Sequence, residues 1–220
     1  MNKFILYFVV LFHMVAILGC KKIQNEQKEN DNKSYINDFE LSQKNSLNET
    51  LVKITSPKAV IDPNSNDIEI FDNLIKIIDK DGEDDIEVKS NNSILNNSSN
   101  LIRVFNNVNI SLVTNENYYV TTESFIWDLN SSHINLNSPL YINLDNTNIR
   151  SSSGSYNINS NLLKINNNIF KRKIISSEGK EKYQIEVSSD IAKWFKKENI
   201  LEFTSNNKQV ETTIKFLTVK

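Results

Sequence analysis

The stretch between Asn130 and Asp145 limits what this chain can fold into more than any other. After Asn130-Ser131-Ser132-His133, apolar and polar residues take turns. Ile134, Leu136, Leu140, Ile142 and Leu144 share one parity, while Asn135, Asn137, Tyr141, Asn143 and Asp145 share the other. A period of two puts alternate side chains on opposite faces of a strand, so the segment reads as sheet with one apolar face. The run before it, Thr121-Thr122-Glu123-Ser124-Phe125-Ile126-Trp127-Asp128, belongs to the same block.

Neighbouring segments can be laid over this block as further copies. Ile68, Ile102, Ile134 and Leu163 are equivalent positions, so the spacings are 34, 32 and 29 residues. Each copy reads as strand, Asn/Ser turn, strand, a second turn marked by Asn or Pro, then strand. One unit of that size cannot bury its apolar face alone, so the period implies a stacked all-β array.

The 220 residues are 39% apolar and 24% charged, enough for one domain with a real core, or a domain plus tails. About one residue in six is Asn, against only four Gly and three Pro, and Asn can supply turn conformations that Gly would otherwise carry. Net charge is −2; the first twenty residues hold one Lys and no acid, leaving 24 − 27 = −3 for the rest. That balance carries no footprint of a nucleic-acid partner. Cys20 is the only cysteine, so no disulfide can form within the chain.

Met1-Asn2-Lys3 is a short basic start, and Phe4 to Leu18 is apolar except for His13. Fifteen residues of helix span about 22 Å, short of a hydrocarbon core of about 30 Å, which favours an export signal over a permanent span. Ile17-Leu18-Gly19-Cys20 resembles the bacterial lipobox, making residues 1–19 a lipoprotein signal peptide and Cys20 the lipidated residue. The alternative is a short uncleaved N-terminal helix. Residues 20–55 then read as the lipidated Cys and a flexible tether, and the domain as 56–220. Within it, 176–220 leaves the repeat. Residues 184–187 and 209–219 still alternate like strands, whereas 190–198 place Ile191, Trp194 and Phe195 at helical spacing behind Ser189-Asp190, a short helix plugging one end.

These segments carry a family resemblance. Thr122-Glu123-Ser124-Phe125-Ile126-Trp127-Asp128, Ile134, Ser138-Pro139-Leu140-Tyr141-Ile142, and Ile149 through Gly154-Ser155-Tyr156 resemble the LptC family, periplasmic proteins of lipopolysaccharide export related to LptA (OstA-like) bridge proteins. The resemblance covers residues 56–169. Leu140 stands where the family usually has Val, and a lipobox stands where the family has a transmembrane helix. The resemblance implies an open, twisted antiparallel β-jellyroll and a non-enzymatic role. In the family, an apolar groove accepts acyl chains of lipopolysaccharide, or other acylated cargo, from the permease of an inner-membrane ABC transporter. It passes them to an LptA-like jellyroll paired edge to edge near the C-terminus. The expected groove lining is Ile102, Val104, Val108, Ile110, Phe125, Trp127, Ile134, Leu136, Leu140, Ile142 and Leu144. The expected partner edge is Val210, Thr212, Thr213, Ile214 and Phe216. The location implied is periplasmic, held to the inner membrane by the N-terminal lipid. A different class of function, an envelope or surface lipoprotein serving as a β-repeat binding module or adhesin, would call for a filled core and a distinctive outer face.

No catalytic, metal or cofactor constellation is expected. The histidines are His13, in the signal, and His133, in a turn. In Asp79-Lys80-Asp81-Gly82-Glu83-Asp84-Asp85 the Gly is fourth from the first Asp, where an EF-hand has it sixth, so an Asp-Gly hairpin turn is the reading. Lys171-Arg172-Lys173 reads as a solvated basic run.

Overall fold

The structure, a computed structural model, describes residues 33–44, 50–78, 84–112, 115–131, 133–176, 180–195, 198, 200–206 and 209–216. The signal, Cys20 and Asp79–Glu83 lie outside the described residues. Contacts gather residues 33–220 into one unit. Among the described residues fourteen strands make one antiparallel sheet: β1 (Ser34–Lys44), β2 (Leu51–Ile61), β3 (Asp67–Ile78), β4 (Asp84–Asn96), β5 (Leu101–Leu112), β6 (Asn115–Asp128), β7 (His133–Leu136), β8 (Leu140–Leu144), β9 (Thr147–Ser151), β10 (Ser153–Asn157), β11 (Leu162–Ile175), β12 (Glu181–Phe195), β13 (Ile200–Thr204) and β14 (Glu211–Phe216).

The sheet is folded on itself along a crease that crosses every long strand. One half, the crease-to-turn half on the side of Ile61, Asn96 and Asp128, follows β1-β2-β3-β4-β5-β6-β7-β10-β11-β12-β13; the other leaves β6 through β8 and β9 to β11, and ends at β14. Along most strands the inward-facing residues are two apart, but at the crease they jump by three: Ser56 to Ala59, Ile70 to Asn73, Thr122 to Phe125, Ile165 to Asn168, Ser189 to Ala192. An extra residue flips the phase and bends the strand, as a β-bulge does. In β1, β3, β5 and β11 the crease holds left-handed residues, Asp38 (φ 53°), Asp72 (φ 48°), Asn106 and Asn107 (φ 63° and 56°) and Asn167 (φ 48°), whereas β2, β4, β6 and β12 cross it without one. Asn and Asp tolerate that region where other L residues are strained. At the crease, every left-handed residue among those described is an Asn or an Asp.

Buried polar side chains follow the crease and tie the strands across it. The Ser56 hydroxyl donates to the Phe71 carbonyl, Ser90 Oγ to Asn73 Oδ1 (3.1 Å), and Ser151 Oγ to the Asn166 carbonyl (2.6 Å); Ser124 and Ser138 share a hydroxyl hydrogen bond (2.8 Å), and Asn168 Nδ2 donates to Ser189 Oγ (2.9 Å). The bulged backbone leaves groups that the ladder cannot satisfy, and these side chains supply partners. On either side the inner faces are apolar. One register row runs Leu41–Ile54–Ile75–Val88–Ile110–Val120–Ile142–Ile149–Phe170–Val187 through one half. Another runs Ile61–Ile68–Leu95–Ile102–Trp127–Ile134–Tyr156–Leu163–Trp194–Leu201 through the other. Facing rows of this kind make a single core.

The repeat inferred from spacing is a structural one. Ile68, Ile102, Ile134 and Leu163 stand in that second row, and the turns before them open on Asp62, Asn96, Asp128 and Asn157, whose side-chain oxygens accept from the backbone N–H of Asn64 (2.9 Å), Ser99 (2.9 Å), Asn130 (2.9 Å) and Ser160 (3.0 Å). Three of these turns close on left-handed Asn66, Asn100 and Asn161. They are Asx-type turns, recurring at the period of the apolar positions.

Two expectations are corrected. Residues 20–55 are not tether throughout, because β1 and the first five residues of β2 lie within that range. β1 buries only Phe39, so its apolar signal is too sparse to read as sheet. The segment from Asp190 is the end of β12, not a helix: Ile191, Ala192, Lys193, Trp194 and Phe195 pair with Thr204 to Ile200 of β13. Apolar residues on both faces just past the crease imitate helical spacing. Among the described residues no helix is long and apolar enough to cross a membrane.

Candidate functional site: an apolar cavity between the two half-sheets

The eleven residues expected to line a groove all lie on the inner faces. Ile102, Val104, Val108, Phe125, Trp127, Ile134, Leu136, Leu140 and Ile142 are buried, and Ile110 and Leu144 pack half-buried against them. Asn109, Asn135 and Tyr141 face out, and Asn143 is half-buried on the outer side. Gly154, in β10, shows how closely the halves approach near the crease. A Cβ there would lie 2.7 Å from the Lys164 carbonyl oxygen and 3.0 Å from Leu140 Cδ1.

The two halves enclose a cavity of about 60 Å³. Ile86, Val88, Ile110, Val120 and Leu144 line it from one half, and Phe125, Ile134, Leu136, Leu163 and Trp194 from the other. Ile110, Phe125, Ile134, Leu136 and Leu144 thus come together in its walls. Ile102, Val104, Val108, Trp127, Leu140 and Ile142 do not touch the cavity and serve the packed core around it. Sequence reading missed Tyr118 and Trp194, whose rings meet edge to face across the mouth at 6.3 Å. The signal for Trp194 was present, but was assigned to a helix. Tyr118 Oη donates to Asp145 Oδ2 (3.2 Å), and the phenol pKa is raised, first by loss of solvent and then by that carboxylate, with Arg172 opposing. A second edge-to-face pair, Phe170 with Phe203 at 5.3 Å, joins the halves towards the C-terminal end.

The resemblance motif divides between core and turns. Trp127 is buried in the register row with Nε1 donating to the Ser131 carbonyl (3.3 Å), Asp128 opens the following turn, and Ser124 and Ser138 meet at the crease. His133 is exposed, its Nε2 3.3 Å from Asn157 Nδ2. No group of His, Cys, Asp or Glu among the described residues is arranged to hold a metal ion.

The expected partner strand is β14. It pairs with β12 along one edge, Ile185 opposite Ile214 and Tyr183 opposite Phe216, and all its residues are exposed, Phe216 by 80%. Its apolar residues continue the inner face of one half-sheet past the end of the packed core. Val210 lies just before the strand and is exposed as well.

Compared with known proteins, residues 4–172 match the family model described as "Lipopolysaccharide-assembly, LptC-related". The match spans most of the chain and ends inside β11. No curated protein matches the chain.

Proposed function

Since the chain belongs to the LptC-related family of lipopolysaccharide-assembly proteins, we propose that it is a non-enzymatic lipid-transfer component of an envelope export bridge. Its cargo is an amphipathic lipid, lipopolysaccharide or another acylated molecule. The inner-membrane ABC permease supplies the acyl chains, the jellyroll interior shelters them, and an LptA-like jellyroll receives them.

The observation that carries this reading is the cavity, lined almost wholly by hydrocarbon between the two half-sheets. An acyl chain gains about 0.8 kcal/mol per buried CH₂, so a dozen carbons gain on the order of 10 kcal/mol before ordering costs. That is enough for reversible capture without a covalent step. At about 60 Å³ the cavity admits roughly four water-sized spheres. A longer chain therefore enters only as the halves part, and the Tyr118–Trp194 contact is the one that must open.

β14 supplies the outgoing edge. Its second edge offers N–H and C=O groups for strand addition, and Ile214 and Phe216 would extend the apolar floor into the partner. At the other end, Cys20 acylation would hold the protein on the periplasmic face of the inner membrane; Cys20→Ala should then abolish labelled palmitate incorporation, and unchanged labelling would leave the uncleaved helix as the anchor.

The test of the function is mass spectrometry of lipid co-purified with the full chain from its native membrane. An acylated lipid at near one-to-one ratio is expected. A folded, abundant protein that brings no lipid would overturn the reading in favour of a surface-binding lipoprotein.

A further inference from the structure

The basic run Lys171-Arg172-Lys173 does not behave as one unit. Lys171 and Lys173 point to the outer face, where they pair with Glu186 (3.1 Å) and Glu181 (2.7 Å). Arg172 falls on the opposite face, two residues beyond the inward-facing Phe170. Its register row is Tyr118–Leu144–Thr147–Arg172–Ile185, the row nearest the mouth of the cavity. Neighbouring strands lie about 4.8 Å apart, so the Arg172 backbone is about 10 Å from that of Leu144, within reach of its long side chain. Arg172 is exposed and makes no ion pair among the described residues. Asp145, which follows Leu144 of that row, accepts the Tyr118 hydroxyl at 3.2 Å. The Arg172 charge is also near enough to Tyr118 to pull its pKa down against the other influences.

We propose that Arg172 is the headgroup-binding residue of this cavity, taking the phosphate or carboxylate of an anionic amphiphile whose acyl chain lies against Leu144, Val120 and Ile110. This rests on the reading of the cavity as an acyl-chain site and adds a charge requirement to it. A guanidinium presents a planar fork of donors that matches phosphate or carboxylate oxygens two at a time. Placed where hydrocarbon gives way to solvent, it meets the point of an amphiphile where tail becomes head. Its two neighbours in sequence are neutralised by glutamates on the outer face, so the run leaves one cation for the ligand.

The experiment compares dodecyl phosphate, dodecyl maltoside and inorganic phosphate on the full chain, read by tryptophan fluorescence and titration calorimetry. The wild type should bind dodecyl phosphate about tenfold tighter than the neutral maltoside, the size expected for one charge-assisted contact, with inorganic phosphate failing to compete. Arg172→Gln should bring the phosphate probe to the maltoside's affinity and leave the maltoside unchanged, and Arg172→Lys should restore part of the difference. The variant side chain is exposed, and an unchanged urea midpoint confirms that the fold is intact. Equal loss of both probes, or no loss of either, overturns the assignment while leaving the cavity as an acyl site. Inorganic phosphate competing as well as the amphiphile would make Arg172 a free-anion site and also overturn it. A wild type that binds neither amphiphile removes the acyl-chain reading itself, and the assignment with it.

Discussion

If left-handed Asn167 bends β11 at the crease, substitution there should invert the usual order of strand preference. Asn167 sits in the middle of β11 with φ at 48°. An L side chain there costs about 1–2 kcal/mol, and a β-branched one is a genuine outlier. Glycine has no such strain and loses only about 0.5–1 kcal/mol through chain entropy. Asn167→Val should therefore destabilise by about 1–3 kcal/mol, and Asn167→Gly by less than about 1 kcal/mol. Both variants lose the hydrogen bond from Asn167 Nδ2 to Ser152 Oγ (3.2 Å), so that loss cancels between them. Asn109, exposed on the outer face of β5, is not left-handed and serves as the control. There Val should exceed Gly by about 1 kcal/mol, the span of strand propensity. Urea unfolding followed by tryptophan fluorescence gives all four values, with the denaturant slope checked for constancy. If Asn167→Val proves as stable as Asn167→Gly, a left-handed residue is not what bends β11.

Other perturbations probe the packing and the edge. Gly154→Ala should lower stability by about 1–3 kcal/mol in the same assay, since its Cβ would press on the Lys164 carbonyl and Leu140. Ser189→Ala should cost about 1–3 kcal/mol by stripping buried Asn168 of its side-chain partner, and a cycle with Asn168→Val should show coupling between the two. Thr213→Pro should remove a backbone donor from β14 and abolish co-purification with an LptA-like jellyroll while circular dichroism stays sheet-like. Undiminished binding with the fold intact would move the interface to another edge.

Parity made most of the inner face legible. Every residue from Ile102 to Leu144 placed inside from alternation is inside, because a half-buried strand has to show its period in sequence. The repeat was legible for a related reason: a strand of fixed length and an Asx turn recur together, so Ile68, Ile102, Ile134 and Leu163 line up in one row. The crease was not legible, because its residues are Asn, Asp and Ser in a chain where Asn is everywhere, and nothing in sequence marks Asn167 as left-handed and Asn109 as extended. β1 was hidden by lying at an edge with one buried side chain, Phe39. The end of β12 was misread because a phase change at Ser189–Ala192 leaves apolar residues on both faces. Trp194 was lost to the site with it. Of the cavity, the walls were foreseeable from alternation, whereas the way two stretches of sheet face each other across it depends on the bend, and so could not be.

Acyl chains that enter between the half-sheets must distinguish neighbouring positions on β5, and that distinction is the most direct test of lipid transfer through this interior. Ile110 lines the cavity, and Asn109 lies one residue away on the outer face. A photo-reactive benzoylphenylalanine at each position, illuminated in cells, should give a lipid adduct at Ile110 and none at Asn109. Equal labelling at the two, or none at Ile110 in protein that is folded and abundant, would contradict entry between the half-sheets.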